Sequence, residues 1–92
     1  MKPIRFSNHA RLQMDLRGAS EAEVIAAIKS GGWEPARMAK FKTRMRFEFN
    51  KTAPTNQKFY KYKIVEPVFA EEQDETVVIT VMVYYFNEEV KQ

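Results

Sequence analysis

Apolar and polar positions change period along the chain, and the changes mark its elements. Ile4-Arg5-Phe6 alternates and predicts a short edge strand, after which Ser7 or Asn8 offers an N-cap oxygen to a helix that runs to Arg17 and ends at Gly18. At about 100° per residue Leu12, Leu16 and His9 share one side of that helix, with Ala10 and Met14 beyond them. The leucines are therefore the expected apolar stripe and His9 sits at its margin. Ser20 and Glu23 have capping-box spacing, and the helix they open carries Val24, Ile25, Ala27 and Ile28 as its core stripe before Gly31-Gly32 closes it.

From residue 38 to 49 the period becomes two. Ala39, Phe41, Thr43, Met45, Phe47 and Phe49 alternate with Lys40, Lys42, Arg44, Arg46 and Glu48, which predicts a strand with one core face and one basic face. Residues 50–58 read as a loop, and residues 59–69 alternate again, with Lys61 and Lys63 on one side and Tyr60, Tyr62 and Ile64 on the other. Pro67 is expected at an edge or a bulge because it has no N–H to donate. Residues 71–75 form a charged connector. Residues 76–86 form a final strand, central because it is apolar on both faces, with Val77, Ile79, Val81, Val83 and Tyr85 expected toward the helices. Helices first and hairpin-connected strands after them predict one α+β domain over residues 1–92, two N-terminal helices packed on one face of a small antiparallel sheet.

Composition narrows the function classes. With 92 residues, 45% hydrophobic and 29% charged, the chain is an ordinary globular domain with a single core. No apolar run reaches the ~18 residues of a membrane helix, and no apolar segment follows Met1-Lys2-Pro3-Ile4-Arg5, so neither a membrane partner nor a secretory leader is expected and the location is read as cytoplasmic. Cysteine is absent and His9 is the sole histidine, which removes disulfide and thiolate chemistry and makes a metal or cofactor site an unfavoured reading.

The net charge of +3 conceals a strong asymmetry: residues 37–63 carry nine basic side chains against one acidic, whereas residues 64–92 carry one against seven. Lys40, Lys42, Arg44, Arg46, Lys61 and Lys63, with Thr80 and Tyr84 on the same expected face, make a candidate RNA surface, since cations at strand spacing match phosphates and aromatic rings stack on unpaired bases. The plain alternative is a solvated face whose lysines suppress edge pairing. His9 is the natural proton-transfer candidate, against a structural role in stapling helix to sheet. Arg17 is either a site cation or a complement to its helix dipole.

Phe6-Ser7-Asn8-His9-Ala10, Met14, Arg17-Gly18, Ser20 with Glu23-Val24, and Gly31 together resemble the bacterial and archaeal domain-of-unknown-function family 4258. Val78-Ile79-Thr80-Val81, with Tyr84 or Tyr85, resembles that family's last strand. Gln13 departs from it, standing where the family often has arginine. The family in turn is similar to toxins of the RelE and BrnT type. The resemblance implies a metal-independent endoribonuclease that inhibits translation, acting on RNA or the ribosome and silenced in some cases by an acidic antitoxin protein. In that reading His9 is the base or the acid, Arg44 and Arg46 clamp the phosphate with Arg17 assisting, Tyr84 stacks or orients, and Lys40, Lys42, Lys61, Lys63 and Thr80 bind RNA together with Arg44. A non-catalytic module binding nucleic acid or protein through the same face is the alternative.

Overall fold

Two serine caps start the helices. In the computed structural model, which describes residues 2–88, Ser7 Oγ accepts from the Ala10 amide to open α1 (Asn8–Arg17), and Ser20 with Glu23 forms the capping box of α2 (Glu21–Lys29). Around them lie β1 (Ile4–Phe6), β2 (Glu34–Pro35), a 3-10 turn (Arg37–Ala39), β3 (Phe41–Lys42), β4 (Met45–Thr52), β5 (Phe59–Glu71) and β6 (Thr76–Phe86). The strands form one sheet in the order β1-β6-β5-β3-β2, with β4 also paired to β5. Ala10, Met14, Val24 and Ile28 of the helices bury against Val65, Phe69, Val78 and Val81, so both helices occupy one face. The α+β class is as expected.

The sheet is mixed rather than antiparallel, because β1 pairs parallel to β6. A three-residue strand carries no signal of direction. Its direction follows from α1, which begins at Ser7 beside the Ile79 carbonyl and ends where the Tyr85 hydroxyl donates to the Arg17 carbonyl, so it lies along β6. Ala10 and Met14 face the sheet, while Leu12 and Leu16 are 54% and 57% exposed, the reverse of the stripe expected from side-chain size. The small Ala10 lets the helix backbone approach β6, and that closeness decides which side is buried.

Two irregularities divide the strands. The expected strand over residues 38–49 breaks at Thr43 and Arg44, giving β3 and β4 on the same flank of β5. Opposite the break stands Pro67, in the middle of the sheet rather than at an edge; its carbonyl accepts from the Thr43 amide, and the interruption removes any need for the N–H it lacks. The second irregularity lies where Val68 pairs with Thr80 but Phe69 pairs with Val78, leaving Ile79 as an extra residue. Before this bulge the facing of β6 inverts: Val78 and Thr76 point to the helices where Val77 was expected. Gly18 has φ 87°, and a Cβ there would lie 2.5 Å from the Tyr85 hydroxyl oxygen, so the α1–α2 turn needs glycine for both conformation and space.

Ser20→Ala is expected to lower stability by about 1 kcal/mol through loss of the cap, and Ile28→Ala by about 2–5 kcal/mol through a core cavity. Urea unfolding of the two variants checks both values.

Candidate nucleic-acid interface

The face opposite the helices is assembled by strand register. Arg46, Ile64 and Tyr84 lie in one row across β4, β5 and β6, and Glu48, Tyr62 and Phe86 lie in the next. The rings of Tyr62 and Phe86 stack with centroids 5.4 Å apart, and the Arg46 guanidinium sits 5.0 Å above Tyr62. Tyr84 is 44% exposed beside them. On the other side of this platform Glu66 pairs with Met82, and Lys42, Val68 and Thr80 form a further row. Arg44, from the break between β3 and β4, donates from Nε at 3.0 Å and Nη2 at 2.7 Å to Glu66 Oε1. That carboxylate holds the Arg44 pKa above its usual value. Both donors converge on Oε1, which leaves Oε2 outside this pair.

Arg17 reaches this region from the helix layer. Its Nη1 donates to the Val81 carbonyl at 2.8 Å and touches Met82 Sδ at 3.0 Å, so the guanidinium wraps the free flank of β6. Lys42, Arg44, Arg46, Thr80 and Tyr84 thus gather on one face, as expected, and Arg17 lies beside it. The expected lysine row does not. Lys63 pairs with Phe47 and Tyr85 on the helix face, is 4% exposed, and donates to the Gly18 carbonyl at 2.7 Å and to Glu23 Oε1 at 2.8 Å. The cue was in its phase: Lys63 has the parity of Val65 and Phe69, both core residues. Lys61 is exposed near the start of β5, where its amide donates to Asn87 Oδ1. Lys40 precedes β3 and turns its ammonium toward the Met38 carbonyl. His9 stands exposed in the first turn of α1, on the helix layer rather than on the uncovered sheet face.

Glu66 is the residue that sequence reasoning overlooked. It is 7% exposed yet lies on the uncovered face, and with Glu34 opposite Lys42 and Glu48 opposite Tyr62 it brings acids among the cations. The face is an aromatic platform bordered by arginines, not a continuous basic comb. Among the described residues no group of three acidic or histidine side chains is placed to hold a metal ion, and no helix is long and apolar enough to cross a membrane.

A family model described as "Domain of unknown function (DUF4258)" matches residues 6–83, most of the chain. The chain belongs to this family. No curated protein and no solved structure matches it. Within the DUF4258 span the motif residues of α1 divide by role. Ser7 caps, Ala10 and Met14 pack on β6, Arg17 covers the β6 edge and Gly18 makes the turn. The His9 imidazole makes no hydrogen bond or ion pair among the described residues.

Burial opposes ionisation of Glu23, but the bonds from Lys63 and the Ser20 amide outweigh it and hold the carboxyl below its ordinary range. A lowered carboxyl pKa contributes stability that is complete above the unfolded value of about 4.3 and is lost as pH falls through the folded value. Glu23→Gln is therefore expected to flatten the acid limb of a stability–pH curve measured by urea melts. Lys63→Ala, which strands the carboxylate, is expected to cost about 3 kcal/mol at neutral pH.

Proposed function

We propose that this protein binds single-stranded RNA on its uncovered sheet face and cleaves it there as a toxin-type endoribonuclease. The observation that carries the reading is the platform of Tyr62, Phe86 and half-exposed Tyr84 with Arg46 over one ring and Arg44 close by. Tyr84, exposed beside the stacked Tyr62–Phe86 pair, offers its ring to an unpaired base, while guanidiniums pair with phosphate. The likeness to RelE and BrnT toxins supports the same assignment and brings RNA on the ribosome and an acidic antitoxin as partners.

Cleavage of this kind uses the RNA's own 2′-hydroxyl. Its oxygen attacks phosphorus, its proton passes to a base, the bond from phosphorus to the 5′-oxygen breaks, and that oxygen takes up a proton from water, leaving a 2′,3′-cyclic phosphate. Glu66, whose Oε2 lies outside the Arg44 pair, accepts the first proton in this reading. Arg44 and Arg46 stabilise the charge that develops on the phosphorane oxygens, and Tyr84 orients the base beside the scissile bond. Arg17 assists from the β6 flank. His9 lies outside this array.

Because the cations are few, affinity for a single-stranded oligonucleotide is expected to fall with a shallow log–log salt slope, about −0.7 for each of two or three phosphates. Tyr84→Leu is expected to weaken binding by about 1–3 kcal/mol at every salt concentration, whereas Lys42→Ala with Arg46→Ala reduces the slope itself. Fluorescence anisotropy reads both, and absence of binding at low ionic strength overturns the reading. Glu66→Gln is expected to keep binding while cutting cleavage by about 10²–10⁴-fold, with His9→Gln near wild type. A large loss in His9→Gln with Glu66→Gln unaffected would move the chemistry to the helix layer.

A further inference from the structure

Beside the aromatic platform the uncovered face deepens into a cleft of about 600 Å³. Val68, Pro35 and Ala36 give it apolar sides, and Arg37, Lys42 and Glu66 give it charged ones. Strand register sets its distance from Tyr84. Lys42, Val68 and Thr80 share one row, Arg46, Ile64 and Tyr84 share another, and Ile64 precedes Val68 by four residues on β5. At roughly 3.3 Å per residue the rows lie about 13 Å apart, more than the width of one phosphate group, so the cleft is distinct from the ground over Tyr84.

The cleft holds cations without counter-ions. Arg5, Arg11, Arg44, Lys2 and Lys63 each meet a carboxylate. Among the described residues the side chains of Arg37 and Lys42 make neither a hydrogen bond nor an ion pair. Glu66 does not neutralise them, because Arg44 already occupies its Oε1 with two donors. Glu34 stands opposite Lys42 in register, also without an ion pair. Arg37 is carried by a costly turn: Met38 and Ala39 both lie in the left-handed region, at φ 59° and 60°, where residues with a Cβ are strained. The Ala36 amide donates to the Lys40 carbonyl at 2.8 Å and the Lys40 amide to the Arg37 carbonyl at 3.2 Å. Arg37 is thus held beside the cleft by fixed main chain.

Resting on the RNA reading above, we infer that this cleft is a second phosphate subsite, in which Arg37 and Lys42 hold the backbone of the bound strand beyond the nucleotide on Tyr84. The charges select that occupant. Two cations without partners in one cleft match an anion, and the apolar sides at Pro35 and Val68 suit the sugar attached to it. Arg44, bonded to Glu66 midway between the two rows, continues the line of charge from Arg46 to Lys42. A strand engaged on the platform is therefore led into the cleft. The substrate class is a single strand of several nucleotides, not a mononucleotide or dinucleotide. Glu34 repels the same phosphate, so removing its charge tightens the subsite.

Fluorescence anisotropy at low ionic strength tests this with a 2′-O-methyl dinucleotide and hexanucleotide, which lack the 2′-hydroxyl that cleavage uses. The wild-type protein is expected to hold the hexanucleotide about tenfold more tightly than the dinucleotide. Arg37→Ala is expected to lose about tenfold on the hexanucleotide, to make its log–log salt slope shallower by about 0.7, and to leave the dinucleotide at the wild-type value. Glu34→Gln is expected to move hexanucleotide affinity the opposite way. Both positions are exposed, and an unchanged circular dichroism spectrum confirms that each variant folds. Tyr84→Leu is expected to weaken both oligonucleotides. If Arg37→Ala leaves hexanucleotide affinity and slope unchanged while Tyr84→Leu weakens binding, the cleft proposal falls and the platform reading survives. Equal loss on both lengths in Arg37→Ala overturns the proposal as well. If the wild-type protein binds neither oligonucleotide, the RNA reading falls and the cleft proposal falls with it.

Discussion

A buried lysine sets the arrangement of the two layers. Lys63 leaves a central strand on the helix side and gives its ammonium to the carbonyl at the end of α1 and the carboxylate at the start of α2. Its charge also rests 5.1 Å from the Phe49 ring. One cation therefore ties β5 to the turn between the helices and satisfies a helix C-terminus while doing so. Glu23 serves twice, as the reciprocal member of the α2 capping box and as the counter-ion of Lys63. Local helix initiation and long-range docking are thus one electrostatic unit.

Fixing both helices on one face leaves the other face bare, and strand register decides what it displays. Tyr62, Tyr84 and Phe86 come together because β4, β5 and β6 run in continuous antiparallel pairing over that end of the sheet. Arg44 is there because the chain breaks from its neighbour opposite Pro67, at the one place where a central strand has no N–H to offer. The same proline precedent explains Glu66, held beside the break under Arg44. The surface accordingly displays aromatic rings and a few oriented guanidiniums rather than a general positive field.

Arg17 connects this face to the open edge. Starting from the end of α1, it crosses the flank of β6 and ends against Met82, which pairs with Glu66.

Much of this was legible in the residues alone. The serine caps, the Ser20 and Glu23 box, the glycine turn at Gly18, the core role of Val24, Ala27 and Ile28, and the order of helices before strands all rest on interactions within a few residues, and local chemistry determines them. The sequence also placed Arg44, Arg46, Thr80 and Tyr84 on a common face. Other features required partners far away in the chain. The parallel direction of β1 depends on where α1 can lie, the inversion at Ile79 depends on a bulge that period-two counting cannot contain, and the exposure of Leu12 and Leu16 depends on Ala10 approaching β6. Lys63 shows the difference most directly. Its charge argued for solvent and its phase for the core, and only the tertiary structure, by supplying Glu23 and the Gly18 carbonyl, made burial of that charge affordable.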